Sequence, residues 1–158
     1  MMSKGRILVV DDDEAIRSIF KDYLEILNYD VVMAVDGEDA LNKFVPGAFD
    51  GVISDMTMPK ISGLDLLKKI RTQDKKVFVI MITGYPTIDN AVNAIKEGVY
   101  DYLVKPIQLE DIQIKLERAL STRKTEKSLK ITTILLWAVV ISIPIWLIAG
   151  MLLGIFWK

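Results

Sequence analysis

Asp50-Gly51-Val52-Ile53-Ser54-Asp55-Met56-Thr57-Met58-Pro59 decides how this 158-residue chain is read. Val52, Ile53 and their neighbours make a short apolar run that stops on a carboxylate, and a Met-Thr-Met-Pro turn follows at once. A run too short for a helix and closed by a turn predicts a buried strand. Asp55 then stands at the C-terminal end of that strand, where open parallel sheets form their crevices.

The pattern recurs on either side. Arg6 to Val10 is an apolar run ending in Asp11-Asp12-Asp13, as expected of a strand covered on both faces. Tyr29 to Val35 predicts a second strand. Val77 to Ile82 predicts a fourth, ending at Thr83-Gly84, and Tyr102 to Val104 a fifth, ending at Lys105-Pro106. Helical spacing lies between them. Ile16, Ile19, Phe20, Tyr23, Leu24 and Leu27 stripe the first helix, and Ala40, Leu41 and Phe44 the second. Ser62-Gly-Leu-Asp65 resembles a capping box that opens a third helix through Leu64, Leu67 and Ile70. Pro86-Thr87 opens a fourth, with Ile88, Ala91, Val92 and Ile95 expected inward and Gly98 closing it. Leu109, Ile112, Leu116, Ala119 and Leu120 stripe the last. Five strands alternating with five helices predict a parallel α/β sheet with right-handed crossovers. The polar groups that follow strands one, three, four and five share one sheet edge in such a fold. Asp11, Asp12, Asp55, Thr83 and Lys105 are therefore expected to converge.

Composition narrows the chemistry. The chain has neither Cys nor His, so disulfides, thiol chemistry and the commonest general base are excluded. Residues 1–114 hold 13 basic and 19 acidic side chains, a net charge of −6. An acidic domain lacks the basic face that nucleic acid requires, so no nucleic-acid partner is expected. Residues 115–130 are different, with six basic and two acidic side chains. That basic stretch directly precedes a charge-free run, which suggests a membrane surface. No internal repeat, low-complexity segment or N-terminal signal peptide is apparent.

Carboxylates converging in a crevice repel one another, and a divalent cation relieves the repulsion. Hard oxygen donors suit Mg²⁺, which is also the ion of phosphoryl transfer. A carboxylate can itself be the nucleophile and form an aspartyl phosphate, and Lys105 and the Thr83 hydroxyl are the right types to hold phosphoryl oxygens. Val-Val-Asp-Asp-Asp, Ser-Asp55-Met-Thr-Met-Pro, Ile-Thr83-Gly and Lys105-Pro106 together resemble, in order and spacing, the receiver domain of two-component response regulators. The likeness spans roughly residues 5–122. Thr83-Gly-Tyr-Pro and Tyr100-Asp-Tyr-Leu-Val-Lys-Pro look most like receivers that precede ATPase-type transcriptional activators, although no such domain is expected in the residues that follow.

The resemblance implies a flavodoxin-like (βα)5 doubly wound sheet. It implies phosphorylation of Asp55 by a phosphohistidine of a sensor histidine kinase or phosphotransfer protein. Asp12 and Asp55 would ligate Mg²⁺ directly with the carbonyl of Thr57, and Asp11 through a metal-bound water. Thr83 and Lys105 would bind the phosphoryl group, and Tyr102 would be the switch aromatic. A cis Lys105–Pro106 bond is implied too, with catalysis confined to the domain's own phosphorylation and dephosphorylation. Asp13 has a plainer role available, as N-cap of the first helix. Two other classes fit less well. A phosphatase of the haloacid dehalogenase type carries its nucleophile after the first strand as Asp-x-Asp, whereas Asp55 follows the third. A flavodoxin-like nucleotide binder needs a Gly/Ser/Thr-rich phosphate loop, which is missing after Val10.

Residues 131–157 run 27 residues without a charge, and 15 of them are Ile, Leu, Val or Phe. That exceeds the length needed for one transmembrane helix and is too short for two. At about 1.5 Å per residue the run is roughly 40 Å long against a hydrocarbon core of about 30 Å, a mismatch that tilt or a kink at Pro144 absorbs. Arg118, Arg123, Lys124, Lys127 and Lys130 flank it on one side and Lys158 alone on the other, which predicts a receiver on the cytoplasmic face of the cell membrane. Gly150-x-x-x-Gly154 raises the expectation of a homodimer through the span. The expected organisation is a receiver over residues 1–122, a basic juxtamembrane linker over 123–130 and a transmembrane helix over 131–157. Its output would be phosphorylation-dependent partner binding at the membrane or competition for phosphoryl groups; a rival reading makes the tail a remnant of a larger membrane protein.

Overall fold

In a computed structural model, residues 3–122, 133 and 136–142 are described. The strands are β1 (Arg6–Val10), β2 (Asp30–Ala34), β3 (Gly51–Asp55), β4 (Phe78–Thr83) and β5 (Asp101–Val104). They pair in parallel in the order β2-β1-β3-β4-β5. The order reverses between β1 and β3, so connecting helices are laid on both faces and a crevice opens between these strands at their C-terminal ends. The helices are α1 (Glu14–Ile26), α2 (Gly37–Lys43), α3 (Gly63–Gln73), α4 (Ile88–Lys96) and α5, helical over residues 109–122.

Two cores follow from the two-residue repeat of the strands. Leu8, Val10, Val52, Val79 and Met81 point to one face, where they pack with Ala40, Leu66, Leu67, Ile70 and Ala94. Ile7, Val9, Ile53, Ile80 and Ile82 point to the other, against Phe20, Leu24, Ile112 and Leu116. The central strands β1, β3 and β4 are buried almost throughout, which accounts for their continuous apolar runs.

Caps start the helices where polar punctuation falls. Asp13 caps α1, accepting the N–H groups of Ala15 at 2.8 Å and Ile16 at 3.3 Å, so the plainer role read for it is the one it has. Ser62 caps α3, with its hydroxyl bonded to Asp65 Oδ2 at 2.8 Å. The helix faces depart from expectation in two places. Ile19 in α1 is exposed, as are Ile88, Val92 and Ile95 in α4, all expected inward. The inward side of α4 is its small side, where Ala94 is fully buried. Leu66, not singled out in the sequence, is buried beside Leu67.

By contacts the chain divides into Met1–Leu120 and Ser121–Lys158. The expected linker, most of the expected span and the Gly150/Gly154 pair lie outside the described residues. Among the described residues no helix is long and apolar enough to cross a membrane. Residues 136–142 are helical, with Leu136, Trp137, Val139, Val140 and Ile141 exposed.

Candidate functional site

The turn after β3 is fixed from several directions. Asp55, the last residue of β3, is buried, and its Oδ1 accepts the Thr57 N–H at 2.8 Å. Met56 N–H bonds the Ile82 carbonyl of β4 at 2.7 Å, and Gly63 N–H returns to the Met56 carbonyl at 3.0 Å. Further along, Lys60 adopts φ 65° and reaches Asp36 Oδ2 at 2.7 Å, tying the turn to the start of α2.

Asp11 ends the run of β1 and is equally buried. Its Oδ1 accepts the Asp13 N–H at 2.9 Å, and its carbonyl accepts Arg17 Nη1 at 2.6 Å. Asp12 is exposed beside it. One carboxylate oxygen from each of Asp11, Asp12 and Asp55 lies within 4.8 Å of the others. Three hard oxygen donors, two buried and one open to solvent, suit a small divalent cation that keeps several of its waters.

Lys105 closes the crevice from β5. Its Nζ lies 3.2 Å from Asp11 Oδ2 and forms an ion pair with Asp55 Oδ2. The backbone that aims it is held by its own N–H on the Thr83 carbonyl at 2.8 Å, and the Lys105–Pro106 bond that follows is cis. Thr83 is buried at the end of β4, and its Oγ1 accepts the Tyr85 N–H at 3.1 Å, which leaves its proton free to donate. Tyr102 is half-buried, with its hydroxyl 3.6 Å from the Met56 sulfur, next to the site turn.

Burial pushes the Asp11 carboxyl above the ordinary range, even though the Asp13 N–H and Lys105 pull it down and Asp55 adds repulsion. Burial alone would lower the Lys105 ammonium. Its hydrogen bond to Asp55 and the charges of Asp11 and Asp55 outweigh that, so it is raised and stays charged.

Asp11, Asp12, Asp55 and Lys105 come together at this edge, Thr83 ends the neighbouring strand β4 with its carbonyl on the Lys105 N–H, and Thr57 donates its backbone N–H to Asp55. Sequence reasoning overlooked Arg17 and Gly63. A β-carbon at Gly63 would stand 2.2 Å from the Asp55 carbonyl oxygen, so only glycine lets α3 start this close to the site. Arg17 left no signal of its own, since its partner is the Asp11 backbone carbonyl.

An acidic, lysine-closed crevice at the C-terminal edge of a doubly wound parallel sheet defines a domain built to handle a phosphoryl group on a carboxylate. The family model for the response regulator receiver domain matches residues 7–117, and the chain belongs to that family. It is 37% identical over 122 residues to the transcriptional regulatory protein ZraR of Klebsiella oxytoca, covering 77% of this chain and 28% of that protein. It is 30% identical over 130 residues to the regulatory protein AtoC of Escherichia coli K12, covering 82% and 28%. The chain thus spans little more than a quarter of these curated relatives. Among solved structures, a receiver domain protein from Clostridium thermocellum superposes with a TM-score of 0.73 at 37% identity, covering 77% of this chain and 98% of that one. A CheY-like receiver from Methanospirillum hungatei gives 0.75 at 31% identity, covering 80% and 99%. Receiver domains of response regulators accept a phosphoryl group on an aspartate and interact with histidine kinases or phosphotransfer proteins. Receivers hold Mg²⁺ through acidic residues, and the Asp11, Asp12 and Asp55 cluster is the donor set that fits here.

Proposed function

We propose that the chain is a membrane-anchored receiver that takes a phosphoryl group onto Asp55 from a phosphohistidine. The observation that carries the reading is the Lys105 ammonium bridging Asp11 and Asp55 across a three-carboxylate crevice. In the transfer an Asp55 oxygen attacks phosphorus, the P–N bond to the donor imidazole breaks, and a P–O bond to Asp55 forms. Asp12, Asp55 and the Thr57 carbonyl would hold Mg²⁺ directly, and Asp11 through a water. When bound, the ion neutralises charge on the equatorial oxygens. Lys105 moves from the Asp55 carboxylate to a phosphoryl oxygen, and the Thr83 hydroxyl donates to another. Tyr102, one strand away, is the aromatic that responds.

Output by partner binding draws support from α4. Its large apolar residues Ile88, Val92 and Ile95 are exposed, with Tyr85 exposed in the loop that links them to Thr83. Exposed apolar patches of this kind mark interaction sites. The membrane part rests on the charge-free run 131–157 and its basic flank, and on the exposed apolar side chains of residues 136–142. The one-sided flank puts the receiver on the cytoplasmic side of a single-pass span.

Residues 1–122 incubated with a small acyl phosphate and Mg²⁺ should gain the mass of one phosphoryl group. Asp55→Asn should abolish the adduct, and excess EDTA should suppress it. An adduct that persists in Asp55→Asn overturns the assignment.

A further inference from the structure

Charge is unevenly distributed over the receiver unit. The C-terminal edge of the sheet gathers Asp11, Asp12, Asp13 and Asp55. Three lysines without an ion pair among the described residues gather at the opposite edge. Lys75 and Lys76 lie in the turn that enters β4, where the Lys76 N–H bonds Asp74 Oδ1 at 2.7 Å. Lys96 ends α4, and the chain then returns to the start of β4: Arg71 bonds the Gly98 carbonyl at 2.7 Å and the Val77 carbonyl at 2.7 Å. All three lysines are exposed, and none has an ion pair among the described residues.

The nearby carboxylates keep their charge but are held in place by backbone N–H groups or by Arg6, away from the three ammonium groups. Asp74 accepts the N–H groups of Gly47, Lys76 and Val77; Asp50 accepts that of Arg6; Asp30 pairs with Arg6. Glu97, beside Lys96, is the acid that offsets part of the charge.

The chain leaves the receiver unit at this same edge. Glu117 pairs with Lys4 at 3.6 Å, and Leu120 Cδ2 lies 3.5 Å from where a β-carbon of Gly5 would stand. Both contacts put the last turn of the unit's final helix at the start of β1. The next residues add Arg123, Lys124, Lys127 and Lys130 against Glu126 before the charge-free run begins.

We propose that the N-terminal edge of the sheet, at Lys75, Lys76 and Lys96, docks on anionic phospholipid headgroups and turns the phosphoacceptor edge away from the bilayer. The inference rests on the reading of residues 131–157 as a span. The ten residues between the unit and that run reach at most about 35 Å, so the lysines are held within reach of the surface at high effective concentration. Each lysine close to an anionic leaflet strengthens association about fivefold, and the effect decays within a Debye length of roughly 8 Å. The carboxylate-rich edge is repelled by the same surface, so attraction and repulsion select one orientation. Asp55 then faces the aqueous side, open to a phosphodonor.

The chain has no cysteine, so single dye sites can be introduced cleanly. Gln73→Cys marks the lysine edge and Ala15→Cys the phosphoacceptor edge, both exposed. The full chain is reconstituted into vesicles carrying headgroup-labelled acceptor lipid. With about one-third anionic phospholipid, transfer from position 73 should exceed transfer from position 15. The difference should vanish in wholly zwitterionic vesicles, in high salt and in the K75E/K76E/K96E variant. Equal transfer from both sites in anionic vesicles, or a difference that survives the lysine reversal, overturns the proposal. Failure of the span reading looks different, because the chain then leaves the wholly zwitterionic vesicles and neither dye transfers there. Sedimentation of residues 1–122 with vesicles then decides. That segment contains both cores, and solved relatives that match it over nearly their whole length stand alone. Selective binding to anionic vesicles that the triple variant loses supports the lysine surface; no binding overturns it.

Discussion

At the scale of single residues, the site trades stability for chemistry. Asp11 is buried with its carboxyl raised, so its ionisation opposes folding. For a carboxyl raised in the folded state, stability is fully present below the unfolded value near 3.8 and is lost as pH rises through the folded value. Asp11→Asn should therefore raise the thermal midpoint in EDTA at neutral pH, and the gain should shrink as pH falls. Melts from pH 4 to pH 8 check this; a gain that grows toward acid contradicts it. Gly63 is the second test. A β-carbon there meets the Asp55 carbonyl oxygen at 2.2 Å and the Met56 Cα at 2.9 Å, backbone atoms that cannot swing aside. Gly63→Ala should cost about 1–3 kcal/mol in urea unfolding and slow Asp55 phosphorylation, because relief comes only by moving the site turn. At Gly84 a β-carbon meets nothing within 4 Å, so Gly84→Ala should stay within about 0.5 kcal/mol of wild type.

At the scale of elements, α4 separates what periodicity reports from what it cannot. Ile88, Val92 and Ile95 form an apolar stripe at helical spacing, and the stripe faces water while Ala94 is fully buried. Ile88→Gln and Ile95→Gln should each change stability by less than about 0.5 kcal/mol, whereas Ala94→Leu should cost about 1–3 kcal/mol by overpacking. Urea midpoints of the three variants decide, and a large loss in either isoleucine variant would mean the stripe is covered. The acidic edge was legible from sequence because Asp11, Asp55, Thr83 and Lys105 each punctuate a strand end, and a parallel sheet brings those ends to one edge whatever the helices do. Helix phase was less legible. Spacing reveals that a stripe exists, but its cover depends on which residues are small enough to approach the sheet, and Ala94 wins over three larger neighbours. Arg17 and Gly63 escaped notice for a related reason: each acts on a backbone carbonyl, Asp11 or Asp55, and such contacts leave no side-chain pattern in the sequence.

At the scale of the whole molecule, an acidic receiver unit with net charge −6 over residues 1–114 precedes a basic stretch and then 27 residues without charge. The 15 Ile, Leu, Val and Phe in that run favour insertion by roughly 4.5–9 kcal/mol before its hydroxyls, Pro144 and its two glycines are set against them. Within residues 136–142, five large apolar side chains are exposed, a state that water penalises and hydrocarbon does not. A fluorescent protein fused to residues 115–158 should therefore sediment with membranes and remain there through alkaline carbonate, which strips peripheral proteins. The flank predicts a direction: five basic residues from Arg118 to Lys130 lie before the run and Lys158 alone after it. Moving the first group across a bilayer costs far more than moving the second, so the receiver should stay on the cytoplasmic side. Protease added to sealed inside-out vesicles carrying the full chain should digest the receiver, and the same protease outside right-side-out vesicles should leave it intact. Release by carbonate would remove the anchor; protection in the inside-out vesicles would keep the anchor and reverse its direction.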